Sequence, residues 1–267
     1  MDIATIVGIL SGIGLIFLGI ALLTQDFAMF WSAPSLAIVL GGSLAATLIA
    51  FPISEVLRVF KVIGIVFRKE KNFMRTRVKD IVEVSRAAKR GKMELEKVVN
   101  TIRNPFLKDG VQLIIDGYNE NDIRDILSTR IANREQRERD ESDMLKTMGK
   151  FAPAFGMVGT LIGLVVMLYG MSAGGAEGGD DMAKNLGIGM GAAIVTTFYG
   201  TVLANLFFNP MATKLEMRVD KTSLEQYMML EGVVLLYNRK HPIIVRERLN
   251  SFLAPRDWIS EDEVMSR

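Results

Sequence analysis

The residues with chemical potential in this chain are few, and most lie in apolar surroundings. Gly156, Thr160 and Gly163 recur at i, i+4 and i+7 and share one helical face, while Ala193, Thr197, Gly200, Thr201 and Ala204 line another. Small residues let helix backbones approach closely, and threonine oxygens can help ligate a hard cation such as sodium. The plainer reading is ordinary helix packing, with each Thr bonded to its own backbone. A second cluster, Lys89, Arg90, Glu94 and Glu96 around Gly91, alternates in sign and suits either a solvated face or a contact with a complementary surface. Pro153 and Pro210 fall where a helix begins and where one has ended. His241 is the only histidine and has no second ligand near it, which marks it as a surface residue. There is no cysteine, phosphate loop, nucleophile elbow, metal spacing or dinucleotide fingerprint. No catalytic residue, metal site or cofactor is expected, so the chain reads as something other than an enzyme.

The elements that must position these residues are membrane helices. The chain of 267 residues is 49% hydrophobic and 23% charged, with a mean hydropathy of +0.26. Its net charge of +2 is too small to argue for nucleic acid. A bilayer core needs about 20 apolar residues in a helix. Residues 3–23, 34–53, 151–171 and 185–208 meet that need without one Asp, Glu, Lys, Arg or His. The first has no basic stretch ahead of it and is longer than a cleavable leader's apolar core, so it is expected to stay as a span. Lys and Arg near the span ends set the orientation. Residues 24–33 carry none, and 172–184 carry only Lys184 against Glu177, Asp180 and Asp181. Arg58, Lys61, Arg68, Lys69 and Lys71 follow the second span, Arg134, Arg137, Arg139, Lys146 and Lys150 precede the third, and Lys214, Arg218 and Lys221 follow the fourth. Both short hairpins should therefore face outward and both termini the cytoplasm.

The fold class expected is an all-α membrane protein with four transmembrane helices and a helical cytoplasmic domain. It divides into a transmembrane hairpin (1–53), a cytoplasmic domain (54–150), a second hairpin (151–208) and cytoplasmic C-terminal helices (209–267). In the loop, Val56, Val59, Phe60, Ile63 and Phe67 keep helical spacing between Arg58, Lys61 and Arg68, as a helix leaving the membrane along its interface would. Further helices are expected over 78–88, 93–102 and 106–116, the last closed by Gly117. One long helix from 122 should run into the third span with its charged stretch, 134–143, in water. Helices over 210–231, 232–239 and 242–253 should follow, with the chain loose from Pro255.

Neutral spans cannot by themselves hold the titrating group of an ion-coupled device, because a coupled ion at that depth nearly always needs an ionisable partner. A carboxylate must then come from another subunit.

Several runs of the sequence resemble the MotA/PomA family of flagellar stator subunits over nearly the whole chain. They are Phe151-Ala-Pro-Ala-Phe-Gly-Met-Val-Gly-Thr-Leu-Ile-Gly-Leu164, Ala193-Ile-Val-Thr-Thr-Phe-Tyr-Gly-Thr-Val-Leu-Ala-Asn205 and Asn209-Pro-Met-Ala-Thr-Lys-Leu215. Pro105-Phe-Leu-Lys-Asp-Gly110, Asp116-Gly117 and the opening Met1-Asp2-Ile3-Ala4-Thr5 add to them. The resemblance implies a homo-oligomer, a pentamer in the family, in the bacterial inner membrane. That ring would surround a single-span MotB/PomB-type partner supplying the ion-binding Asp. Sodium or proton flow would turn it against a FliG-type rotor protein and so rotate the flagellum. It further implies that Pro153, Thr160, Thr196, Thr197 and Pro210 belong to the ion pathway and its gating, with Thr160 similar to the sodium-driven branch. Gly156, Gly163, Ala193, Gly200, Thr201 and Ala204 would pack on the partner helix. Lys89, Arg90, Glu94 and Glu96 would touch the rotor, although the position before Lys89, often Arg in the family, is Ala88 here. The alternative is a TolQ/ExbB-like stator that energises an outer-membrane process.

Overall fold

The computed structural model describes residues 3–67, 73–173, 179–261 and 263. Arg68, Lys69 and Lys71 and part of the 172–184 connection, used above to orient the chain, lie outside them. No strand occurs among the described residues. The chain divides into two compact units, Met1–Lys69 with Arg139–Glu216, and Glu70–Glu138 with Met217–Arg267.

The first unit holds the apolar helices. Helix α1 (Ile3–Leu23) buries no residue, and Leu22 and Leu23 are 80% and 88% exposed. Water would penalise such a surface heavily, whereas hydrocarbon does not. Four helical stretches, Ile3–Leu23, Phe27–Ala50, Glu120–Met171 and Leu186–Tyr237, are long and apolar enough to cross a membrane. The second opens with a 3-10 turn, Phe27–Phe30, and continues through α2 (Ala33–Leu36), a π turn (Ala37–Gly41) and α3 (Gly42–Ala50). It stops three residues earlier than the expected 53. Phe51 is extended (φ −132°, ψ 148°), as the residue before Pro52 prefers to be.

After Pro52, α4 (Ile53–Val66) is amphipathic, with the side chain of Phe60, expected on its apolar face, outside the described residues. Val56, Val59 and Val62 are buried against Met144, Leu145, Met148, Met211, Ala212 and Leu215. That cluster belongs to two long helices. One is α8 (Glu120–Ala173), 54 residues and about 81 Å at 1.5 Å per residue. The other runs from α9 (Gly179–Val202) through a π segment (Leu203–Phe208) into α10 (Asn209–Tyr237).

The tail expected as separate helices over 210–231 and 232–239 is therefore one helix continuous with the fourth span. Pro210 does not break it: the π segment just ahead, Leu203–Phe208, already departs from regular i−4 bonding, and the helix passes through the proline there. Gly232 does not break it either. Its missing side chain gives Ile81 room, since a Cβ there would lie 2.8 Å from the Ile81 side chain.

The second unit packs α5 (Met74–Arg90), α6 (Lys92–Val98), α7 (Pro105–Asp116), the 120–138 part of α8, the 217–237 part of α10 and α11 (Pro242–Asn250). Ile81, Leu107, Ile123, Leu127, Ile131, Met228, Val233, Leu236 and Leu249 form its core. Asn104 caps α7 by accepting the Leu107 N–H at 3.0 Å, and Gly117, at φ +90°, closes it. His241 is exposed and caps α11 through Ile243 N–H.

The expectation of a loose C-terminus is corrected for the described residues. Ile259 is buried, and the Asn250 side chain bonds both its N–H (3.0 Å) and its carbonyl (3.1 Å). Glu263 pairs with Arg75 and Lys79. Nor does 134–143 simply face water. Arg134 pairs with Glu138, Arg139 with Glu216, Arg58 with Glu141, and Ser142 is buried, donating to the Ala212 carbonyl at 2.9 Å.

Candidate functional site

Glycine lets α8 and α9 meet almost backbone to backbone. A Cβ on Gly156 would lie 3.2 Å from Thr197 Cα, one on Gly163 2.8 Å from the Gly189 carbonyl oxygen, and one on Gly200 2.5 Å from the Ala152 carbonyl oxygen. Ala193 is buried at the same contact, and Ala204 is buried in a cluster with Val39 and Ala152. Gly156, Gly163, Ala193, Gly200 and Ala204 thus pack the chain on itself, while Thr201 is exposed.

This closeness brings hydroxyls together. Thr160 Oγ1 and Thr197 Oγ1 are 2.6 Å apart. The first is also 3.0 Å from the Gly156 carbonyl and 3.4 Å from that of Ala193, and the second is 3.3 Å from Gly156 O. Thr197 is exposed and Thr160 half-buried, so two hydroxyls and two carbonyls from two helices converge at an open surface. Oxygens of this kind can replace part of a cation's hydration shell. They carry no negative charge and do not titrate, so they cannot take up and release a proton or neutralise a cation's charge. Among the described residues no cluster of His, Asp or Glu could bind a metal.

Thr196 is not part of that group. It is 1% exposed, and its Oγ1 lies 2.9 Å from Ser35 Oγ and 2.6 Å from the Ala192 carbonyl. The structure therefore separates Thr196 from Thr160 and Thr197, which the resemblance had grouped. It also brings forward residues that the sequence reading missed. Ser35 Oγ is 2.8 Å from Ser32 Oγ. Tyr199 accepts the Ser32 N–H at 3.1 Å and donates to the Phe30 carbonyl. The signal was present as a polar stripe, Ser35, Ser43 and Thr47, at i, i+8 and i+12 in an otherwise apolar span.

Pro153 is deep inside α8 rather than in a first turn, because the helix continues unbroken from Glu120. It denies Gly149 the usual i−4 donor and sits against Gly200, whose Cβ would come 3.1 Å from Pro153 Cα. Pro210 is exposed directly after the π segment. Beyond these helices' apolar parts, Lys146 Nζ is 2.8 Å from Glu216, with Arg139 3.8 Å away. The hydrogen bond from Lys146 lowers the Glu216 pKa, and the same bond raises that of Lys146.

In the second unit, Lys89 and Arg90 occupy the last turn of α5, Gly91 (φ +120°) turns the chain, and Glu94 and Glu96 follow in α6. Lys89, Arg90 and Glu96 are exposed. Glu94 accepts from Lys97 at 2.7 Å, which lowers its pKa. Ala88, by contrast, is 2% exposed and faces the core. The exposed basic residues of the corner are Lys89, Arg90 and, just past Gly91, Lys92.

Four apolar spans, two of them prolonged into a helical domain, and a neutral oxygen cluster define a multi-pass α-helical membrane protein with the makings of an ion route. Residues 98–228 match the MotA/TolQ/ExbB proton channel family. The chain is 34% identical over 258 residues to Motility protein A of Borreliella burgdorferi, covering 96% of both chains. It is 31% identical to Chemotaxis protein PomA of Vibrio alginolyticus, over 95% of this chain and 96% of that one. Its fold is that of a chain in the structure of C. jejuni MotAB, with a TM-score of 0.86 at 23% identity over 98% of this chain and 100% of the other. The chain belongs to the MotA/PomA family of flagellar motor stator subunits.

Proposed function

We propose that this chain, with a single-span MotB/PomB-type subunit, forms an ion-driven stator in the inner membrane whose turning applies torque to the flagellar rotor. The observation that carries the reading is the Thr160–Thr197 hydroxyl pair, with the Gly156 and Ala193 carbonyls, in spans that hold no Asp, Glu, Lys, Arg or His. Such a surface can pass a sodium ion or a proton only beside a carboxylate, which the partner's Asp supplies. Ion flow then delivers about 2.3 kcal/mol per charge per 100 mV.

The partner helix approaches the exposed side of α8 and α9 at Thr160, Thr197 and Thr201. Pro153 and Pro210 give the two helices points of flexure where backbone bonds are already missing. Copies of the chain, five in this reading, ring the partner with both termini in the cytoplasm. The α5–α6 corner meets the rotor through Lys89, Arg90, Glu94 and Glu96. A match over 96% of both chains to a motility protein, first hairpin included, favours this over a TolQ/ExbB-like role.

The test is the isosteric change Thr197→Val, made beside Thr160→Val and Pro153→Ala. Each is expected to abolish swimming while the protein remains in the membrane at normal level. Normal swimming by Thr197→Val would overturn the assignment of the route.

A further inference from the structure

Thr196 and Thr197 are consecutive in α9, about 100° apart around the helix at 3.6 residues per turn. One faces Ser35 and the other faces Thr160. A rotation of α9 that breaks the first contact must therefore also move the second. On the α8 side the fit is close: Thr197 Oγ1 reaches the Gly156 carbonyl at 3.3 Å and Thr160 Oγ1 that of Ala193 at 3.4 Å. The Thr196 side chain fills the notch left by Gly159, where a Cβ would lie 2.1 Å from Thr196 Cγ2.

A second grip on α9 comes from the first hairpin. Tyr199 Oη donates to the Phe30 carbonyl and accepts from Ser32 N–H at 3.1 Å. The Phe30 and Phe198 rings meet edge to face, with centroids 5.9 Å apart. Ser35 Oγ, 1% exposed, stands 2.8 Å from Ser32 Oγ and 2.9 Å from Thr196 Oγ1. In hydrocarbon no water replaces a lost hydroxyl contact, so such bonds fix helix orientation more firmly than their net energy suggests.

We propose that Ser35 and Tyr199 are positioning residues of the ion route, holding the rotation of α9 so that Thr197 presents its hydroxyl beside Thr160. The first hairpin then serves as a clasp as well as a membrane anchor. The inference rests on the reading of Thr160 and Thr197 as part of the route.

The test uses the full stator with its partner subunit in motile cells. Swimming speed is measured against external sodium at constant ionic strength, and separately against external pH, at constant membrane potential. Ser35→Ala is expected to raise the half-saturating concentration of the driving ion at least threefold with the membrane level unchanged, and Tyr199→Phe to shift it the same way. Ser35→Thr should restore the original value. A merely structural contact would lower maximal speed along with the amount of protein and leave half-saturation in place. The proposal is overturned if Ser35→Ala and Tyr199→Phe keep the original half-saturation, or lose only protein level, while Thr197→Val still abolishes swimming. If Thr197→Val swims normally, the route itself is wrong and this inference fails with it.

Discussion

At the scale of single residues, the contact between α8 and α9 is set by what is missing from side chains. A methyl at Gly163 would meet the Gly189 carbonyl oxygen at 2.8 Å and the Ala193 Cβ at the same distance. Because one obstacle is backbone, the helices must move apart. Gly163→Val is expected to lower the stability of the detergent-solubilised complex by about 2 kcal/mol or more and to stop swimming, as thermal unfolding and motility assays would read. Wild-type melting would contradict the packing described. The sequence shows the small faces and the threonines through spacing alone. It does not show which neighbour each face meets, because period 3.6 gives a direction around one helix and nothing about what lies there. That is why Thr196 grouped with Thr197 on resemblance but turns to Ser35. It is also why Ser35 and Tyr199, single polar residues in or beside spans, escaped notice. Ala88 is a converse case. Its burial explains why a small apolar residue stands there, which the sequence alone does not show.

At the scale of elements, four spans, the amphipathic α4 and the capped α7 were legible, since each is written in a long apolar run or in cap chemistry. Misreadings came at prolines, at a glycine and at charged stretches. Pro210 and Gly232 are helix breakers by propensity, yet a π segment and a tight contact with Ile81 keep α10 whole. The stretch from Pro255, expected to be loose, is held where Asn250 clamps Ile259 with both halves of its amide. Asn250→Ala would leave two buried backbone groups unpaired, and about 2 kcal/mol of local stability should go with it. Faster amide exchange around Ile259 would report this, and unchanged exchange would contradict it. The Lys146–Glu216 pair has a defined pH signature. The Glu216 pKa is lowered, so its contribution is present above the ordinary carboxylate range and lost as pH falls through its depressed value. Lys146 is raised, so its contribution holds below the ordinary lysine range and is lost as pH rises through its elevated value. Glu216→Gln should remove any acid-side loss of stability due to this pair and leave the neutral plateau flat.

At the scale of the whole molecule, the two compact units divide the labour by chemistry. The first exposes apolar side chains on α1 and holds the neutral oxygen cluster, while the second is a compact helical bundle whose charged corner lies at Gly91. In the stator proposed, reversal of one charge at that corner, Glu96→Lys, should weaken torque while ion flux through the assembled complex persists. Torque in tethered cells and flux in vesicles separate the two effects, and loss of flux would place Glu96 elsewhere in the mechanism.

In the stator proposed, these spans pass an ion only with the carboxylate of the partner subunit. Flux into liposomes reconstituted with this chain alone, and with its single-span partner, tests it most directly. No selective conduction is expected from the chain alone, and conduction that depends on the partner's carboxylate is expected from the complex. Selective conduction by the chain alone would contradict the account.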